Sequence, residues 1–284
     1  MKAIAWLTPA PILLLFFCNS LYAQQPSGTG IQENEKPTLT LAALYSNNVN
    51  YYGQSTAERL PYVLANATLR LPSGLYFSAG GYQLLNVGGG LSETDLGLGY
   101  DHDFNEHFSA GLAYTRSFFP KNSPLLQASN PNNISLSSSY NWAWSKSVLS
   151  ADYAFGEEND LFLTITQSKD IELGTLFSSE DMISVEPAIE FVGGTQHFLT
   201  TYQREKEKRN NGKGQGSNKP ATETITESHT SFNMLSYNFR IPVSYSRASY
   251  MAEAGYQFSV IGRDAATETK RYQHYLNLAF YYQF

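Results

Sequence analysis

Tyr272-Gln273-His274-Tyr275-Leu276-Asn277-Leu278-Ala279-Phe280-Tyr281-Tyr282-Gln283-Phe284 decides the fold. Leu276, Leu278, Phe280, Tyr282 and Phe284 are apolar or aromatic, and the residues between them are mostly polar or small. Side chains alternate across a strand, so this segment has one oily face and one wet face. About ten such residues, tilted, cross a bilayer.

The same alternation recurs upstream. Leu96, Leu98, Tyr100 and Phe104 alternate with Asp95, Gly97, Gly99, Asp101 and Asp103. Phe108, Ala110, Leu112, Tyr114 and Phe118 alternate with Ser109, Gly111, Ala113, Thr115 and Ser117. About twelve strands are predicted, near 38–46, 60–71, 74–85, 92–104, 107–118, 134–144, 148–156, 160–168, 183–203, 229–242, 248–260 and 271–284. Short turns are expected at Pro72-Ser73-Gly74, Asn105-Glu106-His107, Ser145-Lys146-Ser147 and Ser244-Tyr245-Ser246. Longer segments, Asn47–Arg59, Phe119–Asn133 and Arg204–Ser228, alternate with them as outer loops. Lys169–Met182 breaks that order, because it is long where a turn belongs. It reads as a small helix or a missed hairpin, so ten or fourteen strands also fit.

At the N-terminus, Met1-Lys2 precedes the apolar run Ala10–Phe17, and Leu21-Tyr22-Ala23 offers a small residue before Gln24. This pattern predicts a secretory signal peptide over 1–23, cut after Ala23. Cys18 reads as part of the apolar region, since bulky Phe17 precedes it where a lipid-attachment motif wants a small residue. Residues 24–36 are polar, with Pro26, Gly28 and Gly30, and read as a disordered periplasmic tail before a barrel over 37–284. Without the leader no cysteine remains, and the loss of Lys2 leaves 18 basic against 25 acidic residues. That balance argues against nucleic acid as a partner. Mean hydropathy is −0.32, with no long apolar run after the leader, which excludes a helical membrane protein but not a barrel.

Taken together, the Ala23 cleavage site, the alternating strands and terminal Phe284 give a chain that resembles bacterial outer-membrane β-barrel proteins as a broad class. The resemblance implies an all-β, closed, antiparallel, transmembrane up-and-down barrel. It implies outer-membrane lipids and lipopolysaccharide as neighbours, and barrel-insertion machinery reading the Phe284 strand. Trp142, Trp144, Phe104, Phe108, Tyr282 and Phe284 are expected at the inner membrane interface, with Tyr45 and Phe118 nearer the outer loops. Arg204–Gly216 is charged and Gly-rich, and reads as a solvated outer loop.

Lumen-facing positions would hold Asp95, Asp101, Asp103, Asp152, Glu186, Glu190 and Glu253 against Arg70 and Arg240. Two readings stay open. The acids pair with the arginines and with Tyr62, Tyr275 and Gln257 to fill the interior, or surplus acid lines a wet path for cations and polar solutes. Barrels of about eight strands are filled and those of sixteen or more leave a channel, so about twelve lies between.

No serine-nucleophile elbow, zinc-binding helix motif or phosphate-binding glycine loop is present in the sequence. No metal site or cofactor is expected, because His102 points away from Asp101 and Asp103 on a strand. Glu227, His229, Ser231 and Asn233 would share the lipid-facing side of a strand that continues through Leu235, Tyr237, Phe239 and Ile241. A His-x-Ser pair there resembles outer-membrane phospholipases and lipid A deacylases, with His229 as base and Ser231 as nucleophile. The phospholipase pattern's Asn-Gly after the serine is replaced by Phe232-Asn233. The expected function is a narrow pore for small polar solutes or a structural surface component. The alternatives are a lipid-ester hydrolase, and an adhesin acting through long outer loops.

Overall fold

The computed structural model describes residues 36–56, 58–88, 90–121, 123–197, 232–262 and 270–284. The expected leader (1–23), nearly all of the tail (24–36) and the charged segment 204–216 lie outside the described residues, as do Glu227, His229 and Ser231. The strands are β1 (Thr38–Ser46), β2 (Tyr62–Arg70), β3 (Leu75–Leu84), β4 (Glu93–Asp103), β5 (Phe108–Phe118), β6 (Asn132–Asn141) and β7 (Lys146–Phe155). There follow β8 (Asn159–Ser168), β9 (Ile171–Gly174), β10 (Asp181–Val185), β11 (Ala188–Gly194), β12 (Asn233–Arg247), β13 (Tyr250–Ile261) and β14 (Tyr272–Gln283).

Twelve of them close an antiparallel ring in which β1 joins β14, with Leu41 opposite Tyr282, and β11 joins both β8 and β12. Closure leaves the ring no open edge, the condition for strands to stand in hydrocarbon. The alternation read from sequence is the wall's polarity. Leu98, Leu112 and Leu278 are exposed on the outside, at 45%, 55% and 55%. Asp95, Thr115 and Tyr275, on the opposite parity, are buried inside. The inside is not uniformly polar, however. Ala42, Val49, Leu60, Tyr62, Leu64, Leu84 and Leu125 form an apolar cluster within it.

Two turns lie elsewhere than the sequence pattern placed them. Lys146 and Ser147 already pair in β7, so that turn is Trp142–Ser145, closed by the Trp142 N–H donating to the Ser145 carbonyl (2.8 Å). Ser244–Ser246 lie inside β12, and the chain reverses at Ala248 and Ser249, with Ala248 at φ 48°. Serine clusters read as turns, but Ser147 is taken into β7, its hydroxyl donating to Gln167 Oε1 (2.6 Å), and Ser244 and Ser246 lie on the inner face of β12.

The predicted strand 183–203 is interrupted. β10 and β11 both pair with β12, with Val185 opposite Val243 and Ala188 opposite Arg240. Between them lies Glu186-Pro187, opposite Pro242 of β12. Neither proline can donate to the ladder, so pairing lapses where they meet. The Glu186 N–H donates to the Pro242 carbonyl (3.1 Å) and bridges the gap.

Lys169–Met182 resolves into β9 and a reversal into β10, so the missed hairpin is the correct alternative, and it extends the sheet instead of adding staves. β9 pairs only with β10, because β7 ends at Lys146 opposite Ser168. The hairpin therefore projects past the turn end of the barrel and leaves Leu173, Leu176 and Phe177 exposed. Asp181 pins its tip, accepting from the Leu176, Phe177 and Ser178 N–H groups at 2.8–2.9 Å. Burial pushes that carboxyl up, but these donors and the Tyr245 hydroxyl outweigh it and hold it below the ordinary carboxylate value.

Candidate functional site in the barrel lumen

The loop between β1 and β2 does not project outward. It folds into the barrel, burying Asn48, Val49, Asn50, Tyr51, Tyr52, Gln54, Ser55 and Thr56. Its base is held by Asn48, whose Oδ1 accepts from the Val49 N–H (3.0 Å) and from the Leu60 N–H (2.8 Å). Its tip is a tight reversal, with Tyr51 and Gln54 exchanging backbone hydrogen bonds of 2.7 and 3.0 Å. Both central residues have positive φ, Tyr52 at 52° and Gly53 at 84°. That pair of angles suits an Asn-Gly turn, and a bulky residue rarely takes the first.

Three strands from around the ring receive the tip. The Tyr52 ring stacks on Phe162 of β8, with centroids 3.7 Å apart, and Tyr51 meets Phe162 edge-on at 5.6 Å. From β12, the Ser236 hydroxyl donates to the Tyr52 carbonyl (2.9 Å). From β14, the Tyr275 hydroxyl donates to the Gly53 carbonyl (3.1 Å). Gly53 must lack a side chain here, since a Cβ would lie 2.1 Å from Ser236 Oγ. A neighbouring tether sits at the loop end. The fully buried Asp160 carboxylate accepts from Asn130 Nδ2 (2.7 Å), Thr195 Oγ1 (2.7 Å) and the His197 N–H (2.8 Å), joining the β5–β6 loop and the segment after β11 to β8.

Each lumen residue expected from sequence has a definite place. Asp95, Asp152, Glu186, Glu190 and Arg240 are buried inside the ring. Arg70 Nη2 lies 2.6 Å from Asp101 Oδ2, with the guanidinium 4.9 Å from the Tyr76 ring centre. Arg240 Nη2 lies 3.7 Å from Glu190 Oε2, and Asn238 Nδ2 donates to Glu190 Oε1 (2.6 Å). Glu253 is half-buried, and Asp103 is exposed at the turn end. The structure does not bring these groups into one cluster. It pairs two sets and distributes the rest along the wall. Tyr62, Tyr275 and Gln257 are buried among them, and Tyr62 stacks on Tyr82 at 4.3 Å.

Glu93, Lys146, Asp160, Phe162 and the loop tip are the residues that sequence reading left out. Glu93 accepts from Gln127 Nε2 (3.2 Å), and Lys146 is within electrostatic reach of Glu186 and Asp103. Among the described inner positions, carboxylates still outnumber Arg70, Lys146 and Arg240. Several buried polar atoms there, Thr40 Oγ1, Asn66 Nδ2, Thr115 Oγ1 and Thr164 Oγ1, have no hydrogen-bond partner among the described residues. Buried polar groups of this kind are ordinarily satisfied by water.

At the short-turn end of the wall, Trp142, Trp144, Phe104 and Phe284 are exposed at 55–70%, Tyr282 less so, and Phe108 is half-buried. Tyr45 and Phe118 are exposed toward the other end. The lipid-facing row proposed around Asn233 does not persist. A bulge on β12 sets Val192 opposite Ser236 but Gly193 opposite Met234, so Leu235 is an extra residue. Leu235 is fully buried and Met234 is exposed, which reverses the parity above it. Asn233 therefore does not share a face with Tyr237, Phe239 and Ile241. No cluster of three or more metal-ligating side chains occurs among the described residues.

No family model matches this chain, and no curated protein does. Solved structures of similar fold include the KdgM porin, 12% identical over 87% of this chain and 99% of that one, with a TM-score of 0.46. The NanC porin is 6% identical over 86% and 98%, with a TM-score of 0.45. LpxR from Salmonella typhimurium is 9% identical over 86% and 99%, with a TM-score of 0.48. The chain has the architecture of an outer-membrane β-barrel, by its own closure and apolar exterior.

Proposed function

We propose that this chain stands in a bacterial outer membrane as a narrow pore for small polar solutes, with a preference for cations. Its neighbours there would be phospholipid and lipopolysaccharide, and its Phe284 strand would be read by the insertion machinery. One observation carries the reading: inside an apolar shell lies a lumen with excess carboxylate and with buried hydroxyl and amide groups that no described residue satisfies. A purely structural barrel of this size would gain more from apolar filling, since every unpaired buried polar group costs stability.

The test is planar-bilayer recording with a salt gradient, on wild-type protein and on a variant with residues 48–56 replaced by a short Gly-Ser link. The expected result is a small conductance whose reversal potential shows cation preference, weakened in Asp95→Asn and Asp152→Asn. Silence of both proteins, each migrating as a folded barrel until boiled, would reject the pore and leave a surface component.

A further inference from the structure

We infer that the tip of the β1–β2 loop is a displaceable plug, latched by Phe162, Ser236 and Tyr275, and that its withdrawal opens the lumen. This rests on the pore reading above and adds what controls it. The tip differs from a fixed core element in how its backbone is satisfied. Tyr51 and Gln54 pair with each other, and the Gly53 N–H donates to Asn50 Oδ1 (2.8 Å). The tip can thus leave as a unit without orphaning its own turn. The wall loses nothing from its ladder either, because β8, β12 and β14 are each paired on both sides without the loop.

The attachments at the two ends of the loop are unlike. At the base, Val49 and Leu60 are buried in the apolar cluster with Tyr62 and Leu84, and Asn48 clamps both ends of the loop. At the tip, the contacts of Tyr51 and Tyr52 with Phe162, two hydroxyl donors and the Gln196 amide donating to Gln54 Oε1 (3.2 Å), side-chain contacts all, hold a turn whose first central residue, Tyr52, takes a positive φ that tyrosine rarely adopts. A firm base and a side-chain latch around a reluctant backbone make a hinge and a catch. The tip spans the lumen from β8 to β12 and β14, so while latched it obstructs the path.

Gly53→Val tests the latch directly, because a Cβ there would lie 2.1 Å from Ser236 Oγ. Conductance or open time in planar bilayers should rise roughly tenfold or more over wild type, the factor by which losing part of such a latch shifts an equilibrium. In parallel, Ser55→Cys, buried at 2% exposure in a chain whose only other cysteine is Cys18, reports loop position through an impermeant maleimide. Labelling should be slow alone and fast with Gly53→Val. Equal conductance of wild type and Gly53→Val, with labelling accelerated, would overturn the plug while leaving the pore. Silence of every form with labelling still accelerated would place the failure in the pore reading and remove the gate with it. Unchanged labelling in folded Gly53→Val protein would show that the tip is not seated as described.

Discussion

Two of the described departures from the plain barrel run in opposite directions. The β1–β2 loop turns inward and is buried, whereas the β9–β10 hairpin runs outward from the turn end and stays exposed. The difference follows from what each segment offers. The loop presents Asn48, Asn50, Gln54, Ser55 and Thr56 with two tyrosines, which can satisfy hydrogen bonds inside a polar lumen. The hairpin presents Leu173, Leu176 and Phe177, which find no cavity to fill, while its backbone extends an existing ladder. An insertion in a barrel goes where its polar groups can be matched, and apolar content alone does not send it inward.

The largest test of this contrast removes the ring on which the loop sits. Phe162→Ala should cost about 3 kcal/mol in urea unfolding, since it deletes a fully buried ring and the stack with Tyr52. A change under half that would mean the loop is not packed against β8. Tyr275→Phe removes one hydroxyl from the Gly53 carbonyl and should cost about 1 kcal/mol, with the fold intact by gel mobility. Phe177→Ala in the hairpin should fall within about 0.5 kcal/mol of wild type, because that ring is 77% exposed. A large loss there would reveal a buried hairpin and erase the comparison.

The smallest effect is local. Asp181→Asn should speed amide exchange at Leu176, Phe177 and Ser178 and leave exchange in β12 and β13 unchanged. The pH dependence has a fixed sign. Asp181 is held below the ordinary carboxylate value, so its contribution is present above the unfolded value of about 3.9 and is lost as pH falls through the lower folded value. Protection of those three amides should therefore drop only at strongly acidic pH. A drop on going from pH 7 to pH 5 would assign the restraint to another group.

Much of the wall was legible because strand alternation is local information. Leu96, Leu98 and Tyr100 need no distant partner to announce an outer face. Boundaries failed where one residue type serves two purposes. Ser145–Ser147 and Ser244–Ser246 look like turns, yet Ser147, Ser244 and Ser246 are taken into strands, where serine is equally at home. Parity failed at Leu235 because a bulge is set by cross-strand register, and no residue within β12 signals it. The lumen was half legible. The inward placement of Asp95 and Asp152 follows from parity, but the pairing of Arg70 with Asp101 needs the strand order. The inward loop left one trace. From Asn47 to Ala57 there is no charged residue, whereas Arg204–Gly216 is dense in charge. An uncharged stretch with two tyrosines is poorly suited to water.

All of this presupposes which way the side chains point. Nitroxide labels at Leu98, Leu112 and Leu278, and at their inner neighbours Gly97, Ala113 and Asn277, measure it in reconstituted membranes. Collisions with oxygen, which concentrates in lipid, should dominate at the three leucines and fall at each adjacent position. Leucine sites shielded from oxygen, or reached mainly by a water-soluble relaxant, would contradict a barrel that shows its apolar face to lipid and keeps its acids within.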